Sequence, residues 1–345
     1  MGIGRGQRLD LRADRSDSRV WTAVDTMAEL VTFGETMLRL SPPAGQRLET
    51  EGGFDAQVGG AESNVAVAAA GLGVASAWLS KLPANPMGRR VVRVLRGHGI
   101  DPTVAWDDTE SARLGTYYLE RGADPRGTNV VYDRAGSSIT TVTTDELDCS
   151  VLEGADVFHT TGITPALSAA AAEATTDLLA AAGEAGATRS FDLNYRSKLW
   201  SADAARQQYE SLFEQVDLLF APLRDARSVL DYEGDAESIA SRLADDYGIE
   251  TVVVTRGEAG SLAYTAGELY EQGIVDGETV DAIGTGDAFV GGVLAELIAG
   301  GEIDTALRYG AAAASLKRTL EGDVLVTSRE EVEAVLDAPT EGISR

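Results

Sequence analysis

Asp281-Ala282-Ile283-Gly284-Thr285-Gly286-Asp287-Ala288-Phe289 places two glycines and a carboxylate at the head of a small and apolar run, Val290 to Leu294. Glycines let the chain turn tightly and approach a ligand. A helix start offers free N–H groups at the positive end of the helix dipole, which together make an anion site. A carboxylate among those donors would repel a bound anion. Asp287 therefore fits a base that takes up a proton while the amides hold the charge that develops. A plain N-cap by Asp287 after a tight turn is the simpler alternative. Other glycine chemistries do not fit. A dinucleotide fingerprint needs a third glycine where Phe289 stands, a Walker loop needs Gly-Lys, and neither His-Arg-Asp nor Gly-x-Ser-x-Gly occurs.

A second glycine-led segment, Gly59-Gly60-Ala61-Glu62-Ser63-Asn64, runs into an alanine-rich stretch. Its glycines permit close approach of a substrate, and Asn64 offers hydroxyl groups both donors and an acceptor. A helix start with a small-residue packing face is the alternative. Phe191-Asp192-Leu193-Asn194-Tyr195-Arg196-Ser197-Lys198-Leu199-Trp200 ends an apolar run that reads as a parallel strand. Ligands bind at the carboxyl ends of such strands. A carboxylate-bearing substrate needs a cation fork of the kind Arg196 supplies, unless Arg196 is spent in a structural ion pair. Alternation along a strand puts Tyr132 and Arg134 on one face. There they are site residues or, with Tyr117, ordinary sheet aromatics and a surface charge. Thr251 to Gly260 reads as a buried strand emerging into a glycine turn.

Taken together, these segments resemble the ribokinase-like (PfkB) carbohydrate kinases. Asp281–Asp287 is similar to the family's signature D-T-x-G-A-G-D, with Ala282 and Thr285 as small departures. Gly59–Asn64 is similar to its G-G-A-x-x-N, followed by the Leu72-Gly73 turn, and Pro83 to Gly88 stands where the family has G-x-D-x-x-G, with Asn85 for Asp. The resemblance covers residues 29–335 and implies a three-layer αβα sandwich with a mostly parallel sheet and a small projecting β-sheet lid. It further implies Asp287 as catalytic base, Gly284, Thr285 and Gly286 as anion hole, and ATP and Mg2+ as cofactors. Phe191–Trp200 and His159–Leu167 are similar to stretches of the family's 2-keto-3-deoxygluconate kinases. That likeness implies phosphorylation of the C6 hydroxyl of 2-keto-3-deoxygluconate, with the sugar acid held by Gly60, Asn64, Tyr117, Tyr132, Arg134, Arg196 and Asp287. The implied nucleotide contacts are Asn194, Arg196, Arg224, Thr255, Gly257, Gly260, Gly284 and Gly286. Pro222 and Asp225 replace the family's N-x-x-E, so that Asp225 keeps one carboxylate for the metal, through water. A fructokinase or ribokinase is the alternative within the class. A non-catalytic sugar sensor is the alternative outside it, favoured only by the altered N-x-x-E.

Strands are expected at 30–34, 75–80, 155–159, 188–192, 217–220 and 251–255, and helices at 61–72, 86–98, 168–184, 203–214, 235–246, 286–299 and 302–319. Strand-then-helix alternation argues for an α/β fold with a parallel sheet. Residues 36–58 and 103–135 are strand-like without helices and are the expected lid segments of a domain spanning 27–335. An arginine-rich, glutamate-free stretch at 1–26 is expected to be a disordered extension, and 336–345 a tail. The 345 residues are 44% hydrophobic and 24% charged, as in a globular protein, with a net charge of −26. So acidic a surface repels nucleic acid and anionic lipid. The dispersed carboxylates, with only Lys81, Lys198 and Lys317 among 29 cations, read as a solvated coat suited to high salt. A single cysteine, Cys149, excludes an intramolecular disulfide, and His98 and His159 are too isolated for a histidine metal site. With no apolar run of ~18 residues and no secretory h-region, a cytoplasmic protein is expected. The partner is a small sugar acid, and an exposed lid edge invites a second subunit, giving a homo-oligomer through the lid sheet.

Overall fold

β1 (Leu30–Phe33) is buried along its whole length, as a strand covered on both faces must be. The computed structural model describes residues 27–50, 52–122 and 125–337; the expected extension at 1–26 and residues 338–345 lie outside them. After β1 come β2 (Met37–Ser41), β3 (Asp55–Gly59), α1 (Ala61–Gly71), β4 (Ser76–Pro83), α2 (Pro86–Gly97), β5 (Asp101–Asp107), β6 (Thr116–Glu120) and β7 (Asn129–Asp133). Then follow β8 (Val157–Thr161), α3 (Ala169–Ala185), β9 (Thr188–Asp192), α4 (Ala202–Leu212), β10 (Leu218–Pro222), α5 (Leu223–Ser228), α6 (Ala236–Tyr247) and β11 (Thr251–Thr255). The chain closes with β12 (Ser261–Thr265), β13 (Glu268–Gln272), α7 (Thr285–Ile298), α8 (Ile303–Arg318) and α9 (Arg329–Asp337).

Nine strands form one sheet in the order β13-β12-β11-β10-β9-β8-β1-β4-β5. From β11 to β5 every pairing is parallel, and β12 and β13 add an antiparallel edge. Alternation along the strands divides the core. Leu30, Phe220 and Val253 face α1, α7 and α8, whereas Val31, Phe33, Phe191 and Val252 face α3, α4 and α6. The result is three layers, αβα. Helix starts follow local chemistry: Asn85, Ser168, Ser201 and Asp235 each accept a hydrogen bond from a first-turn amide, and Gly186 and Gly248 end α3 and α6 in the left-handed region. Asn85 performs its capping with Oδ1 alone, receiving Met87 N at 2.9 Å, so an amide serves there as a carboxylate would.

The second sheet, β3-β2-β6-β7, is built from the segments expected of the lid, with one correction. The range 103–135 starts too early, because β5 pairs with β4 in the large sheet and only β6 and β7 join β2 and β3. Within the small sheet β2 and β6 run parallel and the other pairings are antiparallel. Two boundaries shift as well. α9 runs through the expected domain end at 335, and the β12–β13 hairpin occupies a stretch that the apolar pattern leaves unassigned. No helix among the described residues is long and apolar enough to cross a membrane. His159 is fully buried in β8, where burial pushes it down to about 3, so it packs as a neutral ring against Phe220.

Candidate active site

A cleft of about 450 Å³ lies between the small sheet and the carboxyl ends of β8, β9 and β10. The glycine turn of Asp281–Asp287 forms one wall. Gly284 holds φ +79° at the start of α7, and a Cβ there would overlap the Asp323 carbonyl oxygen, so only glycine can make this turn. Thr285 N donates to Ala282 O at 3.3 Å and Ala288 N to Gly284 O at 2.9 Å. Among the described residues, the N–H groups of Gly286 and Asp287 have no backbone acceptor, at the positive end of a fourteen-residue helix. Asp287 does not cap its helix, for no side-chain cap is made there. Its Oδ2 accepts from Asn64 Nδ2 at 2.7 Å. Burial pushes Asp287 up to about 6, against the opposing pull of Asn64 and Arg196.

Asn64 is brought opposite by the diglycine that opens α1. Gly60 N donates to Asn64 Oδ1 at 3.3 Å, and a Cβ on Gly60 would overlap the Glu35 carbonyl oxygen. The two glycine segments, 223 residues apart in the chain, thus meet through one amide–carboxylate hydrogen bond.

Cations occupy the rest of the cleft unequally. Arg196 follows β9, is exposed, lines the cleft and enters none of the ion pairs among the described residues. Arg134 follows β7, is only 9% exposed and forms an ion pair with Glu35, whose Oε1 also accepts from Ser137 Oγ at 2.5 Å. Its Nε is buried without a partner. Tyr132 lies between the two layers: Arg134 and Lys198 each sit 5.7 Å from its ring centroid, and Lys198 Nζ donates to Val130 O of the small sheet at 2.6 Å. Tyr117 packs on Tyr132 at 5.9 Å, and its hydroxyl donates to Asp323.

Beside Asp287 the cleft is acidic. Asp192 receives Asn194 N at 3.1 Å and Asn194 Nδ2 at 3.2 Å, and Asn194 is held at φ +39°. Burial, then the nearby charges of Asp287 and Asp225, push Asp192 up to about 8. Asp225 is buried in the first turn of α5, receiving Tyr195 N at 3.2 Å and Arg224 Nε at 3.0 Å. Gly60, Asn64, Tyr117, Tyr132, Arg134, Asn194, Arg196, Arg224, Asp225, Gly284, Thr285, Gly286 and Asp287 therefore share one cleft. Thr255, Gly257 and Gly260 do not line it. Thr255 pairs with Pro222 one strand farther along the same edge, and Gly260 is required for packing, since a Cβ there would overlap Gln272 O.

Sequence reasoning missed Glu35, Glu62, Asp192 and Asp323 in the lining, and a buried cluster beneath it. Arg39 of β2 is fully buried and reaches Asp281 Oδ2 at 2.8 Å and Asp323 Oδ1 at 2.5 Å. Lys317, also fully buried, donates to Asp281 O and Leu320 O at 3.2 Å each. These contacts tie the small sheet to the glycine turn. A buried arginine in a lid strand was the available signal, but only if its distant partners were known.

Comparison with known proteins decides the family. Residues 27–329 match the pfkB family carbohydrate kinases. The chain belongs to that family. This pfkB kinase is 58% identical over 318 residues to the 2-dehydro-3-deoxygalactonokinase of Haloferax volcanii, covering 92% of this chain and 99% of the relative. It is 31% identical to the 2-dehydro-3-deoxygluconokinase of Thermoproteus tenax, covering 91% and 96%. Among solved structures, the 2-dehydro-3-deoxygluconokinase of Thermotoga maritima superimposes with a TM-score of 0.83 at 35% identity, covering 91% of this chain and 99% of that one.

Proposed function

We propose that this pfkB kinase transfers the γ-phosphoryl group of ATP to the C6 hydroxyl of a 2-dehydro-3-deoxy-hexonate, with the galactonate epimer as its substrate. The gluconate epimer expected from the sequence yields to the galactonate epimer because a relative 58% identical over nearly its whole length bears the galactonate name, whereas the two gluconate-named proteins compared stand at 31% and 35%. The observation that carries the chemistry is the Asn64–Asp287 hydrogen bond beside the unpartnered amides of α7, in the same cleft as Arg134 and Arg196. Asn64 holds Oδ2 and leaves Oδ1 to take the C6 proton. The Gly286 and Asp287 amides face the charge of the transferring phosphoryl group, and positioning supplies much of the rate. The exposed fork of Arg196 and the buried, unpartnered Nε of Arg134 receive the carboxylate at the other end.

Mg2+ suits the donor set at the acidic end. Asp192 and Asp225 are hard oxygen ligands crowded against Asp287, and a divalent cation held chiefly by phosphates and water relieves that crowding. There it would neutralise phosphate charge. No group of three or more metal-ligating side chains exists among the described residues, in keeping with a metal bound mainly by its nucleotide. The small sheet is proposed to close over the acid and exclude water, and its β3 and β7 edges to meet a second subunit.

The test is ADP release in molar KCl with 2-dehydro-3-deoxygalactonate, its gluconate epimer, fructose and ribose. Preference for the galactonate is expected, and Asp287→Asn should abolish turnover while ATP still binds. Fructose or ribose as best acceptor overturns the acid reading, and near-normal turnover by Asp287→Asn overturns the base.

A further inference from the structure

Position 62 is one the family signature leaves open, and here it carries a carboxyl group that the chemistry above does not use. Glu62 is 1% exposed and lies in the first turn of α1, with its carboxyl against the Cα of Gly34. Its Oε1 accepts from Thr161 Oγ1 at 2.7 Å and from Thr164 Oγ1 at 2.8 Å. Both threonines are themselves buried at the end of β8 and just beyond it. One oxygen is thus pinned by two hydroxyls. Beyond these, the carboxyl meets only its own backbone N–H among the described residues, and Glu62 lines the cleft.

The carboxyl therefore keeps acceptor capacity for a ligand group in the cleft. Burial pushes Glu62 up to about 7, and a hydroxyl suits it in either state, donating to the carboxylate or accepting from the carboxyl, whereas a carboxylate or phosphate would be repelled by the ionised form. Nor is Glu62 placed as a second base. Its Oε1 is committed to Thr161 and Thr164, and Asn64 is committed to Asp287. Asp287, where the primary hydroxyl would react, and the arginines, where the acid group would dock, line the same cleft. Between the two a sugar acid can offer secondary hydroxyls.

We propose that Glu62 is a substrate-binding residue whose Oε2 accepts a hydrogen bond from a secondary hydroxyl of the sugar acid, with Thr161 and Thr164 holding the carboxyl in place. This rests on the reading of the cleft as a sugar-kinase site, but it does not depend on which acceptor is used. Two hydroxyls on one oxygen orient the acceptor more tightly than a freely rotating carboxyl could be held. The fold therefore provides a rigid hydroxyl reader a few residues from the amide that holds the base.

The experiment first finds the best acceptor of the wild-type enzyme, then measures KM and kcat for that acceptor and for ATP in Glu62→Gln and Glu62→Ala. Loss of a charged hydrogen bond, ~1.5–3 kcal/mol, predicts an acceptor KM about tenfold or more higher, with the ATP KM within about twofold of wild type. With both acids, a changed galactonate-to-gluconate ratio puts the hydroxyl at C4, and an equal rise in both KM values puts it at C5. An acceptor KM unchanged in both variants, with only a lowered melting temperature, overturns the proposal and leaves Glu62 a packing residue. A neutral sugar as best acceptor sinks the sugar-acid reading instead, and no turnover with any acceptor sinks both. Should the Glu62 variants fail to fold, Thr164→Val is the isosteric substitute. A rise of about threefold or more in its acceptor KM supports the role, and no rise overturns it.

Discussion

Asn64→Ala should change the acidity of the base rather than its position. In the intact cleft, burial holds Asp287 at about 6, and the Asn64 Nδ2 hydrogen bond at 2.7 Å opposes that rise. A hydrogen bond to a charged group contributes about 1.5–3 kcal/mol, and each pKa unit is worth about 1.4 kcal/mol. Removing the amide should therefore move Asp287 up by about one to two units, to the neighbourhood of pH 7–8. A base works when ionised, so kcat/KM for the acceptor must fall on the acid side of its pKa. With the wild-type group at about 6, roughly half the enzyme is active at pH 6 and nearly all of it above pH 7.5. In Asn64→Ala no more than about a tenth is active at pH 6, with most of the deficit recovered near pH 9. Asn64 also faces the substrate, so a uniform loss across pH is expected on top of the shift. The assay is coupled ADP release from pH 5 to 9.5 at constant molar KCl, comparing the position of the acid limb and not its height. An acid limb that stays near pH 6 in the variant would refute the idea that this hydrogen bond tunes the base.

Three further perturbations test other parts of the same reasoning. Gly284→Ala should cost about 1–3 kcal/mol of stability and most of the turnover, because its φ is positive and a Cβ would strike Asp323 O, whereas Gly286→Ala, with open space around it, should fold normally; equal melting temperatures for the two would count against the turn. Arg39→Met removes the buried cation between Asp281 and Asp323, leaving Asp281 the longer Arg121 contact and Asp323 the Tyr117 hydroxyl, at a cost of about 3–5 kcal/mol, and should lower the melting temperature by several degrees or more while raising the acceptor KM. A variant with unchanged melting and KM would show that the cluster does not tie the small sheet to the glycine turn. The net charge of −26 predicts lower melting as KCl is reduced from molar to about 0.1 M, where like-charge repulsion extends to ~10 Å instead of ~3 Å. Identical melting curves would refute the high-salt reading without touching the kinase assignment.

Much of the fold was legible because its signals are local. An apolar run such as Thr251–Thr255 is a buried strand whatever surrounds it, and a cap such as Ser168 or Asp235 acts on an amide within its own turn. The hairpin strands β12 and β13 were not legible, since β12 is a short run flanked by Ser261 and Thr265 and the edge strand β13 is mostly polar. β5 was legible as strand but not as a member of the large sheet, because its pairing with β4 is decided by register and not by its own sequence.

The cleft divides along the same line. From sequence alone came the glycine turn before α7, the diglycine before α1, the presence of Asp287 and Asn64, and the arginine after β9, because each motif encodes a backbone conformation within a few residues. Tertiary structure alone decided who pairs with whom. Arg134 is not an unpaired cation but is ion-paired with Glu35; the Tyr117 hydroxyl donates a hydrogen bond to Asp323, 206 residues away; Arg39 reaches 242 and 284 residues along the chain to Asp281 and Asp323. Thr255, Gly257 and Gly260 sit one strand beyond the cleft. The physical reason is range. Turn and helix chemistry is set by neighbours in sequence, whereas the charge state and free valence of a buried side chain are set by whatever the folded sheet brings within about 3 Å of it.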